Sequence, residues 1–206
     1  MINTYNTLAT DESIEKTVSA LKQNGIDVIV ALNGAETKEK VLGLIPQGSD
    51  VMAMTSVTLD SIGLSDELNR SDGKYKPTRA KLAVMDKNTQ EIEMNQLGAA
   101  PEYVVGSVHA VTQEGEVLIA SNTGSQLPAY AYSALHVIWV VGAQKLVKTL
   151  DDGMKRLYEH SLPLESERAK KAYGVAGSAI NKILIVKKEN KVGRITMVIV
   201  KENLGF

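Results

Sequence analysis

The sequence predicts an α/β protein in which a mostly parallel sheet lies between layers of helices. In the N-terminal third, short apolar segments alternate with amphipathic ones, which is typical of a parallel sheet connected by helices. Residues 137–141 are apolar at every position, as expected for a central strand covered on both faces. Near residues 108–120, Glu114-Gly115 separates two strand-like segments. The antiparallel hairpin predicted there would make the sheet mixed.

The first helices and strands are predicted from residues that cap helices and residues that end them. Thr10 can cap a helix whose first turn is acidic, and Gly25 ends it. The elements that follow are, in order, a strand at 26–32, a helix at 36–44, a strand at 51–54 and a helix start at 55–59. We therefore expect strand, helix, strand and helix in succession.

The later elements are predicted from apolar runs and helical spacing. Leu82–Met85 fits either a short strand or the inner face of a helix, and the polar segment 86–96 is predicted to be helical. The apolar segment 103–108 leads into the hairpin, and further strands are predicted at 137–141, at 183–186 and at 195–200. A helix is predicted through Leu146, Leu150, Met154 and Leu157, ending at Pro163, and another at 166–173. Because no repeat or linker interrupts the pattern, we expect residues 1–206 to form a single domain.

The composition excludes several chemistries. The chain of 206 residues has no cysteine, so it has no disulfide, thiolate metal site, iron–sulfur cluster or cysteine nucleophile. Its three histidines, His109, His136 and His160, lie in different elements without ligand spacing, so no metal site is predicted. No glycine-rich nucleotide loop or serine nucleophile elbow is present. The cofactor therefore stays unidentified.

The charge and the apolar runs bear on location and partners. The chain start has no basic region followed by an apolar run, and no run approaches the ~20 residues of a membrane span, so we expect a cytoplasmic protein without a membrane partner. Residues 168–201 contain nine Lys or Arg and one Glu. They form either a basic face for an anionic ligand or solvated surface lysines. Because basic and aromatic residues do not alternate, a nucleic-acid partner is not expected.

The strongest candidate site is the hairpin of residues 111–126. Its second strand runs into a polar loop, and loops at the ends of core strands commonly bind small molecules. The ligand-binding residues predicted in this loop are Ser121, Asn122, Thr123, Gly124, Ser125 and Gln126. The alternative is a connection whose side chains satisfy their own backbone.

Five further residues, at three places in the chain, are candidates for ligand binding or catalysis. Ser56 and Thr58 lie where a strand gives way to a helix, a place that suits a phosphate or carboxylate, although plain N-capping is the alternative. Asn33 follows the first strand and could face the same crevice or form a simple turn. Glu114 and Glu116 are the catalytic candidates, as nucleophile or general base, and exposed turn carboxylates are the alternative.

Segments in their order along the chain also resemble one known family. They are Ser56-Val-Thr-Leu-Asp-Ser-Ile-Gly-Leu64, Ala110-Val-Thr-Gln-Glu-Gly-Glu-Val117 with Asn122-Thr-Gly124, Val137-Ile-Trp-Val-Val-Gly142 with Lys145-Leu-Val147, and the ending Gly193-Arg-Ile-Thr with Lys201-Glu-Asn-Leu-Gly-Phe206. These segments resemble the LUD domain family, named for lactate utilisation. That family belongs to the wider group of ribose-phosphate isomerase, glucosamine-phosphate deaminase and CoA-transferase folds.

The resemblance implies a small-anion-binding protein or an enzyme linked to lactate or other organic-acid utilisation. By analogy with the wider group, Glu114 or Glu116 would act as acid, base or acyl acceptor. The chain also departs from the family. Met54-Thr55 replaces a glycine pair, Ser125-Gln126 replaces Asn-Arg, and residues 172–179 lack the cysteine cluster of many members.

These departures favour an alternative, a non-catalytic regulatory or scaffolding subunit of an oxidoreductase complex. The partners expected from the sequence are therefore a small anionic metabolite, oxidoreductase subunits, or a second copy of the chain in a homo-oligomer.

Overall fold

Two β-sheets organise the chain, which a computed structural model describes over residues 4–206. The larger sheet has six strands in the spatial order β1 (Asp27–Ala31), β10 (Ile195–Val200), β7 (His136–Gly142), β4 (Tyr103–Gly106), β2 (Asp50–Ala53) and β3 (Lys76–Pro77). Every strand pairing in it is parallel. The smaller sheet has four strands in the order β8 (Leu146–Val147), β5 (Ala110–Thr112), β6 (Val117–Ser121) and β9 (Lys182–Val186). In it, β6 is antiparallel to both β5 and β9.

The helices connect and cover these sheets. They are α1 (Asp11–Gln23), α2 (Gly34–Gly43), α3 (Val57–Ser61), α4 (Leu64–Asn69), α5 (Thr78–Ala83), α6 (Glu91–Ala99), α7 (Leu150–Arg156) and α8 (Leu162–Tyr173). The predicted cap of the first helix is confirmed, because Thr10 Oγ1 accepts a hydrogen bond from the Ser13 N–H at 3.2 Å. Within residues 4–206, no helix combines the length and apolar character that crossing a membrane requires.

The central strand β7 shows why the sheet is buried on both faces. Val137, Trp139 and Val141 pack with α1 and the smaller sheet, whereas Ile138 and Val140 pack with α2, α3 and α4. Since side chains alternate across a strand, a strand that is apolar at every position suits two covered faces. The predicted α/β class, with a parallel sheet between layers, is confirmed.

The hairpin differs from its predicted position. It forms as predicted, with the turn at Glu114-Gly115, but it belongs to the smaller sheet. The larger sheet is therefore parallel throughout, and the mixed pairing is confined to the smaller one. Residues 107–109 leave β4, which lies between β7 and β2, and carry the chain to β5 in the smaller sheet.

The other strand predictions are confirmed with ends within two residues, and the helices around residue 160 differ more. Pro163 does not end a helix. It lies in the first turn of α8, which directly continues the π-helical turn Leu157–Ser161 that follows α7. Leu146 lies in β8 rather than in α7, which Thr149 starts with a capping box. Leu82 lies in α5, so its helical alternative is the correct one.

The strand order brings three chain segments to one edge of the larger sheet. The chain passes from β2 outward to β3, returns to β4 on the other side of β2, and continues to β7 and β10. The direction of winding therefore reverses between β2 and β4. In open parallel sheets, such a reversal opens a crevice at the carboxyl ends of the strands, where ligands usually bind.

Candidate functional site

A cavity of about 870 Å³ opens at this edge. Its walls come from the segments after β2, β4 and β7, from α5 and α6, from the loop of residues 121–126, and from α8 with the residues that follow it. Ligand pockets in proteins typically measure about 300–1,000 Å³. The cavity is therefore large enough for a metabolite, and it lies where the sheet topology predicts a binding site.

Lys145 is a buried cationic residue of this cavity, with a relative exposure of 1%. Its Nζ donates hydrogen bonds to Thr58 Oγ1 at 2.9 Å and to Ser107 Oγ at 3.1 Å. The two hydroxyls donate their own protons to backbone carbonyls, Thr58 to that of Leu204 at 3.2 Å and Ser107 to that of Val108 at 3.4 Å. Both hydroxyls therefore act as acceptors towards Lys145.

The position of Lys145 depends on a tight turn after β7. Gly142 ends the strand, and a Cβ there would lie 2.2 Å from Gln144 Oε1 and 2.8 Å from the Leu204 nitrogen. Gln144 Nε2 donates to the Leu204 carbonyl at 2.9 Å, and Gln144 Oε1 accepts from the Leu204 N–H at 3.3 Å. The C-terminal segment thus fixes the turn that directs Lys145 towards Thr58.

A second buried cation, Arg156, lies behind the cavity wall. Its side chain is fully buried, and its Nη1 donates to the His109 carbonyl at 2.7 Å and to Ser161 Oγ at 3.1 Å. Among residues 4–206, its Nε and Nη2 have no hydrogen-bond partner, and neither Arg156 nor Lys145 forms an ion pair with an acidic side chain. Two buried basic side chains therefore share this region without an acidic partner in the described part of the chain.

These cations and their burial shift the neighbouring pKa values. Burial, together with the charge of Arg156, holds the pKa of Lys145 well below its usual range. Burial and the charges of Lys145 and Arg156 lower the pKa of His109 to about 3. Because His109 Nδ1 accepts the Ala120 N–H at 3.2 Å, the neutral ring carries its proton on Nε2. His160, behind the same wall, has a pKa of about 4 for the same reasons.

Further charges line the cavity near α5 and α8. Arg79 donates to the Ala53 carbonyl and, through Nη2, to Thr55 Oγ1 at 2.8 Å. Glu165 is the only acidic side chain among the described lining residues, and Arg168 holds it with two hydrogen bonds of 2.7 Å. The carboxylate of Glu165 is therefore neutralised locally, and the lining as a whole is positive.

The structure brings most of the predicted ligand-binding residues to this cavity. Those that line it are Ser56, Thr58, Ser121, Asn122, Thr123, Ser125 and Gln126. Gly124 shares the loop without lining the cavity, and its N–H donates to Ser121 Oγ at 2.8 Å. Asn33 does not line the cavity either. It caps α2, accepting the Glu36 N–H at 3.0 Å, as the simple-turn alternative expects.

The loop of residues 121–126 is partly satisfied by its own groups. Ser121 Oγ donates to Gln126 Oε1 at 2.9 Å, and Gln126 Nε2 donates to the Ala120 carbonyl at 3.3 Å. Asn122 Oδ1 accepts from Asn181 Nδ2 at 2.7 Å. These bonds fix the shape of the loop, as the self-satisfied alternative expects, and the loop also forms one wall of the cavity. Ligand binding by its residues stays a prediction.

The predicted catalytic pair lies at the other end of β6. Glu114 is exposed, and its carboxylate is 3.9 Å from Lys16 Nζ. The Glu116 carboxylate is 3.2 Å from Lys187 Nζ. Neither lines the cavity, and the five residues of β6 separate them from the polar loop by roughly 16 Å. A catalytic role for either residue stays a prediction.

The sequence did not identify Lys145, Ser107, His109, Arg79 or Arg156 as site residues. Ser107 directly follows β4, and Lys145 lies three residues after the end of β7, so the strand-end rule that selected Ser56 applies to both. The basic side chain of Lys145 was overlooked because it lies between apolar segments. Arg156 carries no comparable signal, since its burial depends on contacts with residues distant along the chain.

The fold and site define an α/β protein with a positively charged, ligand-sized cavity at the carboxyl ends of parallel strands. The model of the LUD domain family matches residues 14–205, and the chain belongs to this family. The resemblance noted in the sequence is thereby confirmed. The family name refers to lactate utilisation, and the match assigns no more specific function.

Comparison with solved structures supports the same fold. The chain is similar to a DUF162 family protein from Deinococcus radiodurans, with 12% identity, a TM-score of 0.56, and coverage of 94% of this chain and 99% of the other. It also matches eIF2B beta from Chaetomium thermophilum at 18% identity, covering 70% of this chain and 42% of that one. The TM-score of 0.31 is too low to bear on the fold. No curated protein matches the sequence.

Proposed function

We propose that this protein binds a small organic anion in the cavity and acts in the utilisation of lactate or related organic acids. The observation that carries the proposal is the presence of Lys145 and Arg156, both buried and neither paired with an acidic side chain in residues 4–206. A large cavity lies directly beside them. An anion in that cavity would supply the counter-charge that the described protein residues do not.

The physical argument concerns the cost of buried charge. A buried cation is destabilising unless a partner of opposite charge compensates for its lost hydration. The charge of Arg156 and burial hold Lys145 towards its neutral form in the empty cavity, and a bound anion favours its protonation. A carboxylate or phosphate near Nζ relieves both effects. A hydrogen bond between charged groups contributes about 1.5–3 kcal/mol, which corresponds to a roughly ten- to hundredfold gain in affinity.

Ligand-induced thermal stabilisation and calorimetry test the proposal. The wild-type protein is titrated with lactate, pyruvate, CoA esters and sugar phosphates, beside Lys145→Met and the matched control Lys148→Met. Lys148 is exposed, lies three residues further along and does not line the cavity. We expect at least one anion to stabilise the wild type and the control. In Lys145→Met its affinity should fall roughly ten- to hundredfold.

Two results would contradict the proposal. One is the absence of any response of the wild type to all four classes of anion. The other is an unchanged affinity in Lys145→Met, provided that circular dichroism shows the variant to be folded. Turnover of a ligand that binds would identify an enzyme. Binding without turnover would favour the regulatory subunit suggested by the sequence departures at residues 125–126 and 172–179.

A further inference from the structure

The hydrogen bonds around Lys145 Nζ leave one tetrahedral position open. A neutral amine has two N–H groups and one lone pair. The two N–H groups are directed to Thr58 Oγ1 and Ser107 Oγ, both of which donate their own protons elsewhere. These two contacts are ones that a neutral amine can make with both of its N–H groups, which leaves its lone pair unbonded by residues 4–206.

The surrounding charges favour the same protonation state. Arg156 is the nearest buried cation, His109 is neutral, and Glu165 is held by Arg168. Burial and Arg156 thus lower the pKa of Lys145 without an acidic side chain to restore it. Desolvation beside another cation is a recognised way to make a lysine amine nucleophilic at neutral pH.

A second basic side chain of the cavity contacts the same short segment as Lys145. Arg79 bonds Thr55, whereas Lys145 bonds Thr58, and both side chains line the cavity. An acid whose carboxylate pairs with Arg79 would therefore occupy the same cavity as the Lys145 amine. Aldehyde and ketone groups are those with which an amine condenses.

We propose that Lys145 forms a covalent imine with the carbonyl group of an oxo acid held in the cavity. This inference rests on the anion-binding function proposed above and specifies its ligand class as acids that carry an aldehyde or ketone. It adds a reaction at Nζ that simple anion binding does not require.

The step balances without an oxidant or reductant. The Nζ lone pair attacks the carbonyl carbon while the C=O π pair moves to oxygen, which takes up a proton as nitrogen loses one. The carbinolamine then loses its hydroxyl group together with the remaining N–H proton as water, and a C=N bond remains. Thr58 and Ser107 orient the amine before the attack by accepting its two N–H groups. His109, on the cavity wall, is neutral, and its Nε2–H can donate a hydrogen bond to the carbonyl oxygen.

Reductive trapping tests the proposal. The wild-type protein is incubated separately with glyoxylate, pyruvate, 2-oxoglutarate and succinic semialdehyde, treated with sodium cyanoborohydride, and analysed by intact and peptide mass spectrometry. We expect a single adduct with the mass of the acid less one oxygen atom, located on Lys145. Lactate, which has no carbonyl group, should slow the labelling by competition. Lys148→Met should label like the wild type, and Lys145→Arg should not label at this site.

The outcomes separate the two proposals. If an organic anion stabilises the protein but no oxo acid labels Lys145, the imine is ruled out and anion binding stands. If neither stabilisation nor labelling occurs, both proposals fail. Labelling spread over surface lysines, without protection by lactate, also overturns the imine. Because the peptide map and the lactate competition use wild-type protein, the test does not depend on the folding of a variant.

Discussion

The two ends of strand β6 differ in what they contact. The turn before it, at Glu114-Gly115, packs against α1, where Asn24 Nδ2 donates to the Glu114 carbonyl at 2.9 Å. The loop after it, residues 121–126, forms a wall of the cavity. The sequence suggested one site for the whole hairpin. In the structure, the turn is a contact between the hairpin and α1, and only the loop lines the cavity.

The two ends also use their glycines differently. Gly115 has φ +77°, and a Cβ on it would lie 2.9 Å from the backbone of Ala20 and Leu21, which cannot move without shifting α1. Gly124 has φ +89°, and a Cβ there would meet the flexible side chain of Lys182. The turn is therefore a rigid contact between helix and sheet, whereas the loop has an adaptable neighbour.

The largest effect is expected from Gly115→Ala. Left-handed backbone conformation costs a non-glycine residue about 1–2 kcal/mol, and forced displacement of packed atoms adds about 1–3 kcal/mol. We expect a loss of about 2–5 kcal/mol in the free energy of unfolding, measured by urea denaturation. Gly193→Ala is the matched control, because Gly193 has φ +73° and open space around it. An equal loss in both variants would show that the contact with α1 contributes nothing.

The cavity end should be the more acid-sensitive one. The pKa of His109 is lowered to about 3 and that of His160 to about 4, so the unfolded chain binds protons near pH 6.5 that the folded protein does not. The two histidines contribute fully to the free energy of unfolding above about pH 6.5, and this contribution is lost as the pH falls. At pH 5 each histidine should lower the free energy of unfolding by about 2 kcal/mol.

Denaturation at pH 7 and pH 5 measures this loss. His109→Asn keeps an acceptor near the Ala120 N–H and should reduce the pH dependence by about 2 kcal/mol. An unaltered pH dependence in this variant would show that His109 becomes protonated normally in the folded protein.

Anion binding should weaken as the pH rises. Arg156 and burial lower the pKa of Lys145 in the empty cavity, and a bound anion raises it, so binding takes up a proton. Affinity is highest below the pKa of the empty state and falls above it, by at most about tenfold per pH unit. Calorimetry with lactate in buffers of different ionisation enthalpy measures both affinity and proton uptake. Binding without proton uptake at any pH would contradict the assignment of Lys145 as the responding group.

The smallest effects are expected at the turn carboxylates. Glu114 and Glu116 each pair with a largely exposed lysine, and exposed ion pairs usually contribute less than about 1 kcal/mol. Glu114→Gln and Glu116→Gln should change neither lactate affinity nor any turnover by more than about twofold. A large loss of turnover in either variant, with folding intact, would support the catalytic role predicted from the sequence and would place chemistry at this end of β6.

The helices and strands that were predicted correctly are those whose sequence patterns lie within the elements themselves. The apolar run of β7, the cap at Thr10 and the glycine in the hairpin turn lie within the elements they define. Pro163 was predicted to end a helix because proline breaks helix interiors, but proline is also tolerated in a first turn, and it lies in the first turn of α8. The hairpin belongs to the smaller sheet because β6 pairs with β9, which begins about sixty residues after β6 ends. Nothing in the sequence near either strand indicates that the two pair.

By itself, the sequence determined the α/β class, the order of most strands and helices along the chain, the LUD resemblance and most of the polar lining at Ser56, Thr58 and residues 121–126. Only the tertiary structure decided that Lys145 meets Thr58 and Ser107, and that Arg156 lies behind the same wall. Secondary structure follows from periodicity between near neighbours. The cavity, in contrast, depends on which distant strand ends adjoin, and on the burial that leaves two cations without an acidic partner.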